Sequence, residues 1–132
     1  MVAMTVLVAY NASPHGEAAV RTAVAEAARR RLPLAVLDLH PEHAASPVDD
    51  GLAALLADAP PDLHVEPVTV RPEGTEPADA ILDATEASGA TLVVLGSRKR
   101  SSMGTFLMGS TTQRVLLDSP VPVLVVKDEY DR

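Results

Sequence analysis

Five short apolar runs alternate with stretches of helical periodicity along this chain, about 25 to 30 residues apart, and that alternation narrows the possible folds more than any other feature. The runs are TVLVAY from Thr5, LAVLDL from Leu34, residues 63–70, TLVVL from Thr91, and VPVLVV from Val121 to Val126. The first and fourth are nearly continuous in apolar residues, as in strands buried on both faces of a parallel sheet. Helix signals stand between them. Ser13-Pro14 and Ser46-Pro47 each pair a hydroxyl N-cap with proline at the first helical position. Ala19, Val20, Ala23, Val24 and Ala27 then recur at helical spacing up to the basic turn Arg29, Arg30, Arg31, where cations meet the negative helix end. After Ser46-Pro47, Leu52, Leu55 and Leu56 mark a short helix. A third helix carries Ile81, Leu82 and Ala84 and stops at Gly89, and a fourth opens at Gly109-Ser110 and ends near Pro120. The predicted architecture is α/β: a single open five-stranded parallel sheet with helices on both faces, one domain over residues 1–132.

Strand order follows from the same residues. The third run contains Glu66 and Pro67, and proline cannot donate to a ladder, so that strand belongs at an edge. Placing the two most apolar runs side by side with right-handed crossovers gives the Rossmann-like order 3-2-1-4-5. Ligands of such sheets bind beyond the carboxyl ends of the strands at the switch point, here between the first and fourth. Asn11, Ala12 and Ser13 line one side of that crevice and Gly96 to Ser110 the other. The fifth run is left at the opposite edge with only Lys127 to blunt it, which predicts pairing with a second copy, a homodimer through Val121 to Val126.

The polar loop after the fourth strand holds Ser97, Arg98, Lys99, Arg100, Ser101 and Ser102, and Gly109, Ser110 and Thr111 close it. A glycine before a hydroxyl residue at a helix start leaves backbone N–H groups unpaired, and three cations stand nearby, so phosphate is the ligand chemistry that suits the loop. Neither Walker A spacing nor G-x-G-x-x-G occurs, and these residues by themselves fit a plain strand–helix connection equally well. Composition bounds the partners. A net charge of −7 argues against nucleic acid and membrane surfaces. The absence of cysteine excludes disulfides, thiolate chemistry and Cys-ligated zinc. With no Trp, two Tyr and one Phe, an aromatic cage or base-stacking platform is not expected. The first apolar run is strand-length with no basic segment before it, so the expectation is a cytoplasmic protein without signal peptide or membrane span.

Gly96, two residues, Lys99, nine residues, then Gly109-Ser110 resembles the universal stress protein signature G-x2-G-x9-G-[ST], with lysine in place of the second glycine. The tail SPVPVLVVK resembles that family's last strand, and Ala12-Ser13 stands where many members have Gly-Ser, so the resemblance spans nearly the whole chain. It implies an adenine-nucleotide alpha-hydrolase-like fold, a homodimer, and a crevice for ATP (or ADP or AMP), possibly with Mg2+. By that resemblance Gly96 lets backbone approach ribose and phosphates, with Ser97, Arg98 and Lys99 in the same gripping loop. Gly109, Ser110 and Thr111 take phosphate at the last helix's start, and backbone at Asp38 or Leu39 meets adenine. Asn11 occupies a position where the family usually carries aspartate, which removes one anionic oxygen from any metal there. Lys99 brings opposed effects: a side chain where glycine's freedom is wanted costs about 1–2 kcal/mol, while an ammonium beside a triphosphate adds about 1.5–3 kcal/mol per contact.

No residue stands out as a general base or nucleophile facing the phosphates, so no catalytic or metal-ligating residue is assigned. Asp38 is expected as a solvated strand-end carboxylate, His40, Glu42 and His43 as a surface loop without a third fixed ligand, and His15 as a solvated first-turn histidine. His64 is expected to be structural, and Met103, Phe106, Leu107 and Met108 to cover the loop. Three functions remain open: adenine nucleotide as a regulatory ligand in stress response, a dimeric interaction module that has lost nucleotide, or slow ATP hydrolysis or autophosphorylation on Ser101, Ser102, Ser110 or Thr111. The protein partner is unknown at this level.

Overall fold

Parallel pairing joins β1 (Thr5–Tyr10), β2 (Leu34–Asp38), β3 (Thr69–Val70), β4 (Ala90–Ser97) and β5 (Val123–Lys127) into one sheet, in the order β3-β2-β1-β4-β5 that the sequence predicts. The computed structural model describes residues 4–45, 48–97 and 109–127. Alternation along the central strands sends side chains to two cores. Val6, Val8, Tyr10, Leu34, Val36, Leu92 and Val94 pack beneath α1 (Pro14–Arg30) and α2 (Asp50–Ala57), against Ala19, Val20, Ala23, Ala27 and Leu52. Leu7, Ala9, Ala35, Leu37, Val93 and Leu95 face the other way, against Ala78, Ala80 and Ile81 of α3 (Pro77–Ala87) and Val115 of α4 (Ser110–Asp118). Among the described residues no helix is long and apolar enough to cross a membrane.

Most helix signals hold. Ser13 caps α1 by accepting the Gly16 N–H at 3.0 Å, with Pro14 at the first helical position. Gly89, at φ +66°, follows α3 in the left-handed conformation that the C′ position favours.

Four boundaries move, each for a local reason. The third strand contracts from residues 63–70 to Thr69–Val70, with Val65 making only an isolated bridge to Leu34, because Pro67 interrupts the ladder. The second helix begins at Asp50 rather than after Ser46-Pro47 (a pair outside the described residues), because Asp49 caps it by accepting the Leu52 N–H at 3.2 Å. β4 does not end before Gly96: Gly96 and Ser97 continue it, opposite Val126 and Lys127. β5 starts two residues late, since Ser119 Oγ holds both the N–H and the carbonyl of Val121 in a turn and Pro122 has no N–H.

Candidate functional site

Strand β1 crosses to α1 on one face while β4 leads toward α4 on the other, and a crevice of about 570 Å³ opens between their carboxyl ends. Its floor is set by two glycines. A Cβ at Gly16 would lie 2.0 Å from the Asn11 carbonyl oxygen, and a Cβ at Gly96 would lie 2.2 Å from that of His15. The first turn of α1 therefore seats directly on the ends of β1 and β4. Gly96 is required for that helix–strand contact, which differs from the ligand approach expected of it. Gly109 is different again: a Cβ there meets nothing within 4 Å among the described residues.

The wall formed by the β1–α1 turn is ordered by Asn11 and Ser13. Asn11 Oδ1 accepts from Ser13 Oγ, its carbonyl accepts the Ser13 N–H at 2.9 Å, and its amide nitrogen stands 3.5 Å from His15 Nε2. His15 lines the crevice and is half-buried there. The opposite wall is the end of β2. Leu39 donates its N–H to the Tyr10 carbonyl at 2.9 Å, and its own carbonyl accepts Arg71 Nε at 2.9 Å. Arg71 also reaches the Thr75 carbonyl through Nη1 at 2.6 Å, fixing its guanidinium on the crevice wall. Pro77 and Ile81 of α3, with Thr111 and Thr112 of α4, complete the lining. Helix α4 begins with Gly109 as N-cap, and among the described residues no side chain caps its first amides. Arg114 of α4 is bonded to Asp79 of α3 across the surface between the two helices.

Of the candidates taken from sequence, Asn11, Leu39, Gly96, Ser97, Gly109 and Thr111 lie on the crevice wall. Ala12, Ser13, Asp38 and Ser110 are adjacent but not on it: Ala12 donates its N–H to His40 Nε2 at 2.9 Å, Ser13 is spent as a cap, and Ser110 is exposed. Arg98 and Lys99 lie outside the described residues, as do Arg100 to Met108.

Asp38 is the clearest correction. It is 1% exposed, not solvated, and its carboxylate accepts the His40 N–H at 3.0 Å and binds His43 Nδ1 at 2.6 Å. That carboxylate raises the His43 pKa, partly opposed by desolvation. His40 and His43 are accordingly not loose: both are partly buried, His40 just before and His43 within a short 3-10 helix (Pro41–Ala45), and their rings stand 4.7 Å apart. His64, in contrast, is an exposed residue paired with Glu66 at 2.7 Å. Sequence reasoning passed over Gly16, Arg71 and Thr112. A glycine inside a first helical turn is a signal of close approach that could have found Gly16; nothing local marks Arg71.

Comparison with known proteins bears on this geometry. The universal stress protein family profile matches residues 3–127. A universal stress protein of Mycolicibacterium smegmatis is 34% identical over 127 residues, covering 92% of this chain and 96% of that one. Among solved structures, a universal stress protein from Archaeoglobus fulgidus superposes with a TM-score of 0.75 at 28% identity, over 96% of this chain and all of the other. The Archaeoglobus fulgidus universal stress protein in complex with dAMP superposes at 0.65 with 25% identity, again over 96% of this chain and all of the other.

Proposed function

Because this chain belongs to the universal stress protein family, we propose that its switch-point crevice binds an adenine nucleotide, ATP foremost, as a regulatory ligand in stress response. The observation that carries the reading is the crevice itself: about 570 Å³, with the uncapped start of α4 on one side and the end of β2 on the other. That volume falls within the range of small-molecule sites, and unpaired first-turn amides suit phosphate oxygens. The dAMP complex of the Archaeoglobus fulgidus relative supports an adenine ligand. Gly109 and Thr111 would then meet phosphate, and Leu39 the base. The Leu39 N–H is already given to Tyr10, so its carbonyl, which has a second lone pair beside Arg71, is the group left to accept from an adenine amine.

Magnesium fits this crevice poorly. Among the described residues no carboxylate lines it, and Asn11 Oδ1 already accepts from Ser13. An ion arriving with a triphosphate would keep phosphate and water ligands, with no anionic protein oxygen. Calorimetric titration with ATP is expected to give one saturable site per chain. Replacing magnesium with chelator should shift the affinity by less than about tenfold, that is less than about 1.4 kcal/mol. Absence of binding by ATP and by dAMP would move the reading to the interaction module, which the 84% exposure of Leu117 on α4 already favours as the second possibility. Turnover is not part of the reading: among the described residues no carboxylate lines the crevice, whose ionisable side chains are His15, His40 and Arg71.

The homodimer rests on the outer edge of β5, which pairs with no further strand among the described residues. The Val93 N–H bonds the Pro122 carbonyl, so in the parallel ladder Leu124 and Val126 bond inward, and Val123 and Val125 turn their N–H and C=O groups to the open edge. Val125→Pro removes an edge donor without disturbing the inward ladder. It is expected to convert a dimer to monomer in sedimentation at micromolar concentration. An unchanged dimer would place the interface elsewhere.

A further inference from the structure

We propose that His40, Glu42 and His43 bind a divalent transition-metal ion of the zinc class at the mouth of the crevice. One ligand atom from each of the three lies within 4.8 Å of the other two. Zinc–ligand bonds of about 2.0–2.2 Å hold tetrahedral ligands about 3.3 Å apart, so small side-chain rotations close the set. The backbone favours the arrangement. His40 and His43 are three residues apart at a 3-10 helix, a geometry that stacks such positions over one another, and their rings are 4.7 Å apart. Glu42, 71% exposed, is free to swing in.

Asp38 makes this more than a chance cluster of donors. Its side chain is 2% exposed and is fixed at one oxygen by the His40 N–H and at the other by His43 Nδ1. A buried carboxylate on Nδ1 favours the tautomer with the proton there and leaves Nε2 as the ligand atom, the arrangement found behind metal-ligating histidines. Two imidazoles and one carboxylate, with no thiolate in the chain, suit zinc with water in the fourth position, and suit the oxygen-seeking magnesium poorly.

Loading has a consequence at the crevice. His40 Nε2 accepts the Ala12 N–H at 2.9 Å, while its Nδ1 stands 3.6 Å from Glu42 Oε2. Metal on Nδ1 moves the ring proton to Nε2, which then ceases to accept, and Ala12 loses that partner in the turn leading into α1. The test is titration of the chelator-treated full chain, without nucleotide, by Zn2+ in the calorimeter and Co2+ by visible absorption. One ion per chain, the intense d–d bands of four-coordinate cobalt, and a shift of the Ala12 amide resonance are expected. Glu42→Gln, an exposed change that leaves the fold alone, and His43→Ala should each weaken binding at least about tenfold. His64→Ala, at the other histidine–carboxylate pair, should leave it unchanged. No saturable binding, equal affinity in Glu42→Gln and His43→Ala, or loss in His64→Ala overturns the site. Because nucleotide is absent throughout, none of these results depends on the crevice reading.

Discussion

Gly96→Ala is expected to destabilise the protein by about 3 kcal/mol and to abolish nucleotide binding with it. The added Cβ would stand 2.2 Å from the His15 carbonyl oxygen and 2.7 Å from its carbon. Both are backbone atoms in the first turn of α1, so no rotamer change relieves the contact and the helix must lift. Lifting α1 separates Ala19, Val20 and Ala23 from the sheet and moves His15 and Gly16 of the crevice wall. Overpacking ordinarily costs about 1–3 kcal/mol, and a clash against backbone sits at the upper end. Gly109→Ala is the control. Among the described residues its Cβ meets nothing within 4 Å at a φ of −67°, so only the weaker N-cap is felt and the urea midpoint should fall far less than in Gly96→Ala. A Gly96→Ala protein with the parent's midpoint would mean that α1 is not seated on β4 as described.

Strand order was legible because Pro67 and two long apolar runs admit few arrangements of a right-handed parallel sheet, and the crevice came with it. Gly96 was legible as a constrained position, but its cause was not. The apposition of His15 to Gly96 joins residues far apart in sequence, and nothing local announces it. Asp38 looked solvated because strand-end carboxylates usually are; its burial depends on a short helix bringing His43 back over it. The Ser46-Pro47 pair was a sound local signal, yet Asp49 had a stronger claim that only the fold discloses, since its carboxylate also receives a hydroxyl from the core. Local chemistry marks ends and turns. Tertiary partners decide among competing marks.

That hydroxyl belongs to Tyr10, and Asp49→Ala is expected to cost about 3 kcal/mol through two separate losses. Tyr10 is fully buried at the end of β1, and its OH donates to Asp49 Oδ2 at 2.7 Å. Removing the acceptor strands a buried donor, worth about 1–3 kcal/mol, and also removes the α2 N-cap, worth about 1 kcal/mol. Tyr10→Phe removes the donor instead and keeps the cap, so about 1 kcal/mol is expected.

The pair also sets how stability varies with pH. The Tyr10 hydrogen bond holds the Asp49 carboxyl below the usual carboxylate range against an opposing desolvation, so its contribution is present above the ordinary aspartate pKa of about 3.9 and is lost as pH falls through the lower folded value. Burial, then Asp49, raises the Tyr10 phenol, so its contribution is intact below about 10 and declines as pH rises beyond that. Subtracting the Tyr10→Phe stability profile from the parent's should therefore leave a plateau between these limits with losses on both sides. A flat difference across the acid limb would show that Asp49 ionisation is not linked to the Tyr10 bond, and the double variant Tyr10→Phe/Asp49→Ala would then lose no less than the two single changes summed.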